Sequence, residues 1–282
     1  MVIDLTFKHI RASTFAASTT TFVLKTVSFF IVTLFFITGL HAQQTARSVQ
    51  TQNHFWWSVN TNAKVCGKWS VIADLHIRRT DYLKNNSFYY TRIGAGYAVT
   101  DKFSTALAVG HMWLANRTNA TELFTNENRI VQQFQLNQTV GKVNVSNRLR
   151  IEERWVQKIV NNALTDSYRY TTRFRYQLAL SIPLSKNKKV PTLALSDELL
   201  MQTGKDIVYN SFDQNRLFGG IRQQVTKTLS FDFGYMFVYQ QKLSGYQYTK
   251  NHTIRWFFYW QPDFRKKPKT TTAAITHMND DI

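Results

Sequence analysis

Hydrophobic and polar residues alternate along most of this chain with a period of two. In KVNVSNRLRIEERWVQ, residues 142–157, one set of alternate positions is mostly apolar and the other is mostly long and polar. The apolar set contains Val143, Val145, Leu149 and Ile151, and the polar set contains Ser146, Arg148, Arg150, Glu152 and Arg154. Successive side chains of a strand point to opposite faces, so the pattern predicts a strand with one polar face.

The same alternation predicts eleven strands, and no helical periodicity of any length follows Gln52. The predicted strands are 53–65, 68–79, 87–99, 102–113, 127–140, 142–157, 167–182, 190–203, 212–225, 229–240 and 252–260. Short turns alternate with longer polar loops, which are placed at about 80–87, 115–125, 157–167, 204–211 and 241–249. The sequence therefore predicts an all-β, antiparallel up-and-down barrel.

The strand number is predicted as ten to twelve, with twelve preferred, because bacterial single-chain membrane barrels have even numbers of strands. Only eleven segments show the alternation, so an even number requires that one strand be added or one be removed. One solution is that residues 43–52, otherwise a polar lead-in, add a first strand.

Four features favour a transmembrane barrel with a polar, cation-rich lumen over a soluble secreted barrel. The predicted strands are longer than the usual soluble strand, and aromatic residues crowd their ends. Short turns on one side and longer loops on the other are typical of outer-membrane barrels. The chain is also predicted to be exported without a helix that spans a membrane, and a closed barrel satisfies the backbone in lipid.

Export is predicted from an apolar run that begins at Thr26, ends at Leu40 and follows Lys25. A basic flank, a short apolar core and the small residue Ala42 are typical of a secretory signal peptide, and an uncleaved signal anchor is the alternative. The predicted organisation is a signal peptide with a long n-region at 1–42, a polar lead-in at 43–52, the barrel at 53–262 and a basic flexible tail at 263–282.

Charge adds to this picture, since 35 Lys and Arg stand against 17 Asp and Glu, for a net charge of +18. Removal of residues 1–42 takes away three cations and one carboxylate and leaves +16. The predicted lumen-facing network is Arg129, Arg148, Arg150, Glu152, Arg154, Arg169, Arg173, Arg175, Glu198 and Arg216. Asp74 and Asp232 are two further carboxylates predicted to pair with these cations, and long interior side chains are expected to fill much of the barrel.

The sequence supports no catalytic motif, metal site or cofactor. HExxH and GxSxG are absent, and the single cysteine, Cys66, excludes an internal disulfide framework. A lipid hydrolase embedded in the barrel would need a serine near a histidine, and His111 lacks a serine at an adjacent position on its face. Glu152 and Glu153 are consecutive strand residues, so they are predicted to face opposite ways.

Nucleic acid is not a predicted partner, because the cations are spread over alternating strands of an exported protein. Arg265, Lys266, Lys267 and Lys269 cluster after the last strand and are interpreted as a solvated periplasmic tail.

Five segments of the chain resemble a known family. They are ENRIVQQ (127–133), NRLRIEERW (147–155), RFRYQLAL (173–180), LSDE (195–198) and FDQNRLFGGI (212–221). Together they are similar to domain-of-unknown-function family 2490, predicted outer-membrane barrels of Gram-negative bacteria, over about 53–262. The resemblance implies the fold and the cell outer membrane but no activity or catalytic residue. Outer-membrane barrels commonly end on an aromatic residue, whereas here about 20 residues follow the last aromatic strand.

The expected function is structural, binding or narrow anion-favouring transport in the outer membrane. The expected partners are outer-membrane lipids, lipopolysaccharide and small anionic solutes. An outer-membrane lipid-modifying hydrolase and a soluble secreted binding protein are the two alternatives.

Overall fold

Eleven β-strands close into a barrel in the computed structural model, which describes residues 46–117, 122–187 and 190–265. The strands are β1 (Ser48–Cys66), β2 (Trp69–Thr80), β3 (Asn85–Ala98), β4 (Phe103–Arg117), β5 (Glu122–Val140), β6 (Val143–Val160), β7 (Ala163–Pro183), β8 (Thr192–Thr203), β9 (Phe212–Gln224), β10 (Leu229–Gln241) and β11 (Gln247–Trp260). Consecutive strands are antiparallel neighbours. The predicted signal peptide and residues 266–282 of the predicted tail lie outside the described residues.

The preferred number of twelve strands is wrong, since the closed barrel has eleven, within the predicted range of ten to twelve. Residues 48–52 do not form a separate strand but begin β1, so the lead-in assigned to 43–52 is shorter than predicted. Strand direction alternates in an up-and-down barrel, and an odd number therefore leaves the first and last strands pointing the same way. β1 and β11 accordingly pair in parallel from Ser48 with Gln247 to Thr61 with Trp260.

The predicted asymmetry of turn lengths is also wrong. The loop predicted at 157–167 is a two-residue turn, because β6 continues to Val160 and β7 starts at Ala163. Asn161 and Asn162 both have positive φ, which suits the tight turn of a long hairpin. The longest connections, 184–191 and 204–211, lie at opposite rims of the barrel. The rim that carries the Asn161–Asn162 turn is therefore marked by long strand hairpins rather than by long loops, and it is called here the rim with the long hairpins.

Burial shows a barrel that is more polar inside than outside. Among the residues that the structure describes, 13 hydrophobic ones are buried, compared with 22 that are polar or charged. Large apolar side chains lie on the outer wall instead, and Ile93, Leu107 and Val109 are each 59% exposed. The largest apolar cluster of the interior packs Trp56, Ala194, Phe218, Met236 and Val238 together. This distribution is the reverse of that in a water-soluble domain. In the described ranges, no helix is long and apolar enough to cross a membrane.

Residues after β11 are tied to the end of β1. The Phe264 amide donates to the Lys64 carbonyl oxygen, and the Lys64 amide donates to that of Pro262. Arg265 Nε donates to Asp263 Oδ1 at 2.8 Å, and this hydrogen bond lowers the pKa of the Asp263 carboxyl to about 2. Residues 263–265 were predicted to belong to the flexible tail, and their backbone contacts with β1 correct that boundary.

Strands β9 and β10 approach closely where two glycines face each other. Gly234 of β10 lies opposite Gly220 of β9, and a Cβ on Gly234 would meet the backbone of Gly219 and Gly220. A Cβ on Gly219 would instead lie 3.6 Å from Leu195 Cδ2, an ordinary contact. Of these two positions, only that of Gly234 therefore lacks the space for a larger residue than glycine.

We expect Gly234→Ala to lower the free energy of unfolding by about 1–3 kcal/mol, the range for overpacking a close contact. Gly219→Ala, the control, is expected to change it by less than about 0.5 kcal/mol, as at most exposed positions. Urea titration of the barrel in detergent micelles, followed by tryptophan fluorescence, measures both. Equal effects of the two variants would contradict the inference from the close approach.

Candidate functional site

Four carboxylates and six arginines on β5 to β9 form one buried cluster, called here the central ion-pair network. Its members are Glu127, Glu152, Glu198, Asp213, Arg129, Arg148, Arg154, Arg173, Arg175 and Arg216. Alternation puts these side chains on one face of each strand, except that Asp213 turns inward at a register shift between β8 and β9. Arg148 of β6 reaches Glu198 of β8 although β7 lies between them, so that face is the interior of the barrel.

Glu198 receives hydrogen bonds from three arginines that belong to three strands. Arg175 Nη2 lies 2.7 Å from its Oε1, Arg148 Nη2 lies 3.0 Å from the same oxygen, and Arg216 Nη1 lies 3.0 Å from Oε2. The carboxylate is 4% exposed. One buried anion therefore holds β6, β7 and β9 to β8 through charge-assisted hydrogen bonds.

Glu152 connects this centre to the rest of the network. Arg175 Nη1 donates to Glu152 Oε1 at 2.6 Å, and Arg173 Nε donates to Oε2 at 3.0 Å. Arg175 thus bridges Glu152 and Glu198. Arg129 Nη1 reaches Glu152 Oε2 at 3.5 Å and links the network to β5.

Two more carboxylates complete the network toward the rim with the long hairpins. Glu127 is 1% exposed and accepts from Arg129 Nε at 2.6 Å and from Arg154 Nε at 2.7 Å. Asp213 accepts from Arg173 Nη1 at 3.1 Å.

Two smaller clusters lie beside the network. Asp232 accepts from Arg222 Nε at 2.6 Å, from Arg255 Nη2 at 3.3 Å and from the Tyr259 hydroxyl at 3.1 Å. Asp74 pairs with Arg92 on the neighbouring strand. The buried ionic groups thus cover most of the barrel circumference rather than one side.

The structure brings together eight of the ten residues predicted for the lumen network. Arg150 is a partial exception, since its Nε donates to Gln133 Oε1 at 2.6 Å instead of to a carboxylate. Arg169 is half-buried near one rim, where its Nε has no hydrogen-bond partner. Asp74 and Asp232, predicted as pairing carboxylates, each bind an interior arginine.

The lumen network predicted from the sequence omits six charged residues of the interior, namely Arg78, Arg92, Glu127, Arg222, Arg255 and Asp213. Alternation was a usable signal for the first five, because each shares a face with polar residues of its strand. Asp213 had no such signal. It lies where the register between β8 and β9 shifts, so its inward direction depends on that irregularity.

The network lies between two large cavities of the interior. One, of about 740 Å³, opens at the rim with the Asp101–Lys102 turn, and the other, of about 540 Å³, opens at the rim near Asn86. A third cavity of about 100 Å³ lies among the arginines. Arg150 lines all three, so this residue is at the boundary of the two large cavities.

A family model described as "Protein of unknown function (DUF2490)" matches residues 53–250. The chain belongs to this family. Two of the family-like segments, NRLRIEERW and FDQNRLFGGI, contribute Arg148, Glu152, Arg154, Asp213 and Arg216 to the central ion-pair network.

This DUF2490 protein is also similar to a solved structure. The crystal structure of the β domain of the Bordetella autotransporter Brka is 11% identical to it and matches with a TM-score of 0.36. That match covers 67% of this chain and 79% of the other. No curated protein matches the sequence.

The outer wall of this DUF2490 barrel carries one histidine considered for hydrolysis. His111 Nδ1 lies 2.7 Å from Asn128 Oδ1, and its ring lies against Trp113 with centroids 4.4 Å apart. Its neighbour on β3 is Thr91, and the hydrogen bonds of the described residues join His111 to no hydroxyl. The nucleophile–base pair that hydrolysis requires is therefore not formed there.

Other candidate chemistry gives no site either. Glu152 is in the network, whereas Glu153 accepts from Tyr170 and Thr172 on the opposite face, as alternation predicts. Within the described part of the chain, no group of three or more His, Cys, Asp or Glu is placed to hold a metal ion. Cys66 is free and exposed.

Proposed function

We propose that this DUF2490 protein is an outer-membrane β-barrel of Gram-negative bacteria with a closed, cation-rich interior. The observation that carries the proposal is the inverted polarity of the barrel, with arginines and carboxylates buried and Val, Ile and Leu exposed. Lipid stabilises such an outer wall, and a closed barrel leaves no unpaired strand edge in it.

Strand length and aromatic residues support the same proposal. The shortest strands, β2 and β8, have 12 residues each, and about 9–11 residues suffice for a tilted strand to cross a bilayer. Exposed aromatic residues lie toward both rims, with Trp69 and Trp260 near one and Tyr168 and Tyr170 near the other. Aromatic girdles at both interfaces are typical of membrane barrels.

The interior favours a structural or binding role, or narrow passage of anions, over a wide pore. The central ion-pair network occupies the inner face of five consecutive strands, and Arg150 stands between the two large cavities. The excess of arginine favours small anionic solutes inside. Outer-membrane lipids would contact the apolar wall, and lipopolysaccharide would lie around one rim.

Fractionation and gel migration test the membrane proposal. We expect the expressed protein to fractionate with outer membranes and to migrate differently on gels before and after boiling. We also expect the folded protein to need detergent or lipid. A folded protein that stays in solution without detergent would contradict the proposal and favour the soluble secreted alternative.

Conductance tests whether the barrel is closed at its middle. Reconstituted wild-type protein is expected to show no lasting open-channel current in a planar bilayer. Arg150→Ala is expected to produce a small anion-selective current, because it removes the side chain that lines both large cavities. Arg79→Ala is the control, since Arg79 bonds the Leu83 carbonyl oxygen, Tyr89 and Asn86 and lines neither of those cavities. A large current from the wild type would show that the interior is open.

A further inference from the structure

Six arginines line a small interior cavity, together with one carboxylate and several neutral polar and aromatic side chains. It has a volume of about 100 Å³ and lies in the middle of the barrel. Its lining includes the arginines Arg78, Arg148, Arg150, Arg175, Arg216 and Arg255. Glu198 is the one carboxylate among its lining residues.

Four of these arginines have carboxylate partners that are themselves shared. Arg148, Arg175 and Arg216 all bind Glu198. Arg255 contacts Asp232 at 3.3 Å, and that carboxylate also binds Arg222. The carboxylates around the cavity are therefore fewer than the guanidinium groups that contact them.

The other two arginines have no carboxylate within ion-pair distance among the described residues. The Arg150 guanidinium bonds Gln133, a neutral side chain, at 2.6 Å. Arg78 is 9% exposed and lies with its guanidinium carbon 3.4 Å from the centre of the Trp56 ring. Arg78 Nε is buried and has no hydrogen-bond partner. Both side chains line the cavity.

A buried cation without a counter-ion is costly, because it has lost its hydration without gaining a compensating charge. An unpaired buried donor adds a further cost. Both costs are removed if an anion with several acceptor oxygens occupies the cavity, since planar guanidinium groups bind such oxygens in pairs. The cavity also has room for a small ion, because its volume of about 100 Å³ equals that of roughly three waters at ~30 Å³ each.

We propose that this cavity is a binding site for a small inorganic oxyanion of the phosphate or sulfate class, held by Arg78 and Arg150. Arg150 also lines both large cavities, so the site adjoins the cavity that opens at each rim. The inference rests on the proposed function only in taking the barrel interior as the binding part. It does not depend on which membrane holds the barrel.

The test is titration calorimetry of the folded, detergent-solubilised full chain with inorganic phosphate, sulfate and chloride at constant ionic strength. We expect saturable binding of phosphate or sulfate at least tenfold tighter than binding of chloride. Arg78→Gln and Arg150→Gln should each weaken it at least tenfold. Arg79→Gln, which changes the next residue of β2 on the opposite face, should leave it unchanged.

Folding of each variant is checked by heat-dependent gel migration. Arg78 and Arg150 have no carboxylate to leave unpaired, so their glutamine variants are expected to unfold at the same or higher temperature without phosphate. Arg150→Lys retains the charge and is expected to bind phosphate more tightly than Arg150→Gln.

Absent or chloride-like binding by the wild type, or wild-type binding by both glutamine variants, would overturn the proposed site. A protein that enters liposomes but fails to bind phosphate would overturn the site alone. Failure to enter liposomes with phosphate binding intact would overturn the membrane proposal alone.

Discussion

Glu198→Gln is expected to lower the free energy of unfolding by about 3–5 kcal/mol, the range for removing one partner of a buried ion pair. Glu198 accepts hydrogen bonds from Arg148, Arg175 and Arg216. Glutamine has nearly the same shape but no charge. Arg148 then loses its carboxylate, whereas Arg175 still contacts Glu152.

The measurement is urea unfolding of the barrel in detergent micelles or thin bilayers, followed by tryptophan fluorescence and heat-dependent gel migration. Glu153→Gln is the matched control, because Glu153 lies on the outer wall and contacts Tyr170 and Thr172 rather than arginine. It is expected to change the free energy of unfolding by about 0.5 kcal/mol or less. Similar values for the two variants would mean that the central ion-pair network does not hold the strands together.

Val109→Arg is expected to cost about 2–4 kcal/mol of folding free energy in a bilayer, the range for a lipid-facing arginine near the midplane. Val109 is 59% exposed and lies in one row with Ile93 and Ile130. A guanidinium at this position must either remain in hydrocarbon or draw water and headgroups toward it.

Val140→Arg is the control, because it introduces the same side chain at a different depth in the bilayer. Val140 is also on the outside, but it ends β5 beside the Gly141–Lys142 turn. Near an interface the same substitution costs about 0–1 kcal/mol. Refolding into liposomes at increasing urea measures both variants. In a water-soluble barrel neither exposed position would penalise arginine, so equal, small effects would contradict the membrane proposal.

These two experiments probe the inner and the outer face of the barrel wall. The interior depends on charged pairs and the exterior on apolar contact, so a change of charge destabilises each face for a different reason. On the inside a buried cation loses its counter-ion, and on the outside a new charge enters lipid. A structural role in the membrane and a binding role inside the barrel are therefore compatible in one molecule.

Much of the fold could be predicted from the sequence, because strand faces depend on local alternation. Arg148, Arg150, Glu152 and Arg154 share a face wherever residues 142–157 are placed, as long as they form a strand. Strand ends were harder to predict. The hairpin around Asn161 and Asn162 extends β6 and β7 through residues that look like a polar loop, because each strand supplies the other's backbone hydrogen bonds.

The strand number required long-range information. β1 pairs with β11 across almost 200 residues of sequence, and that contact closes the barrel at eleven strands. No local pattern distinguishes a strand that will close a barrel in parallel from one that needs an additional antiparallel neighbour. The rule of even strand numbers therefore led to the wrong preference for twelve.

The sequence by itself determined the strands, their two faces and the set of charged residues that share the inner face, since all three follow from a period of two. Only the tertiary structure decided which charges meet. Arg148 reaches Glu198 across β7, and Arg78 and Arg150 are left without carboxylates beside one small cavity. These outcomes depend on the curvature and register of eleven strands, because side chains far apart in the chain face each other only after the barrel has closed.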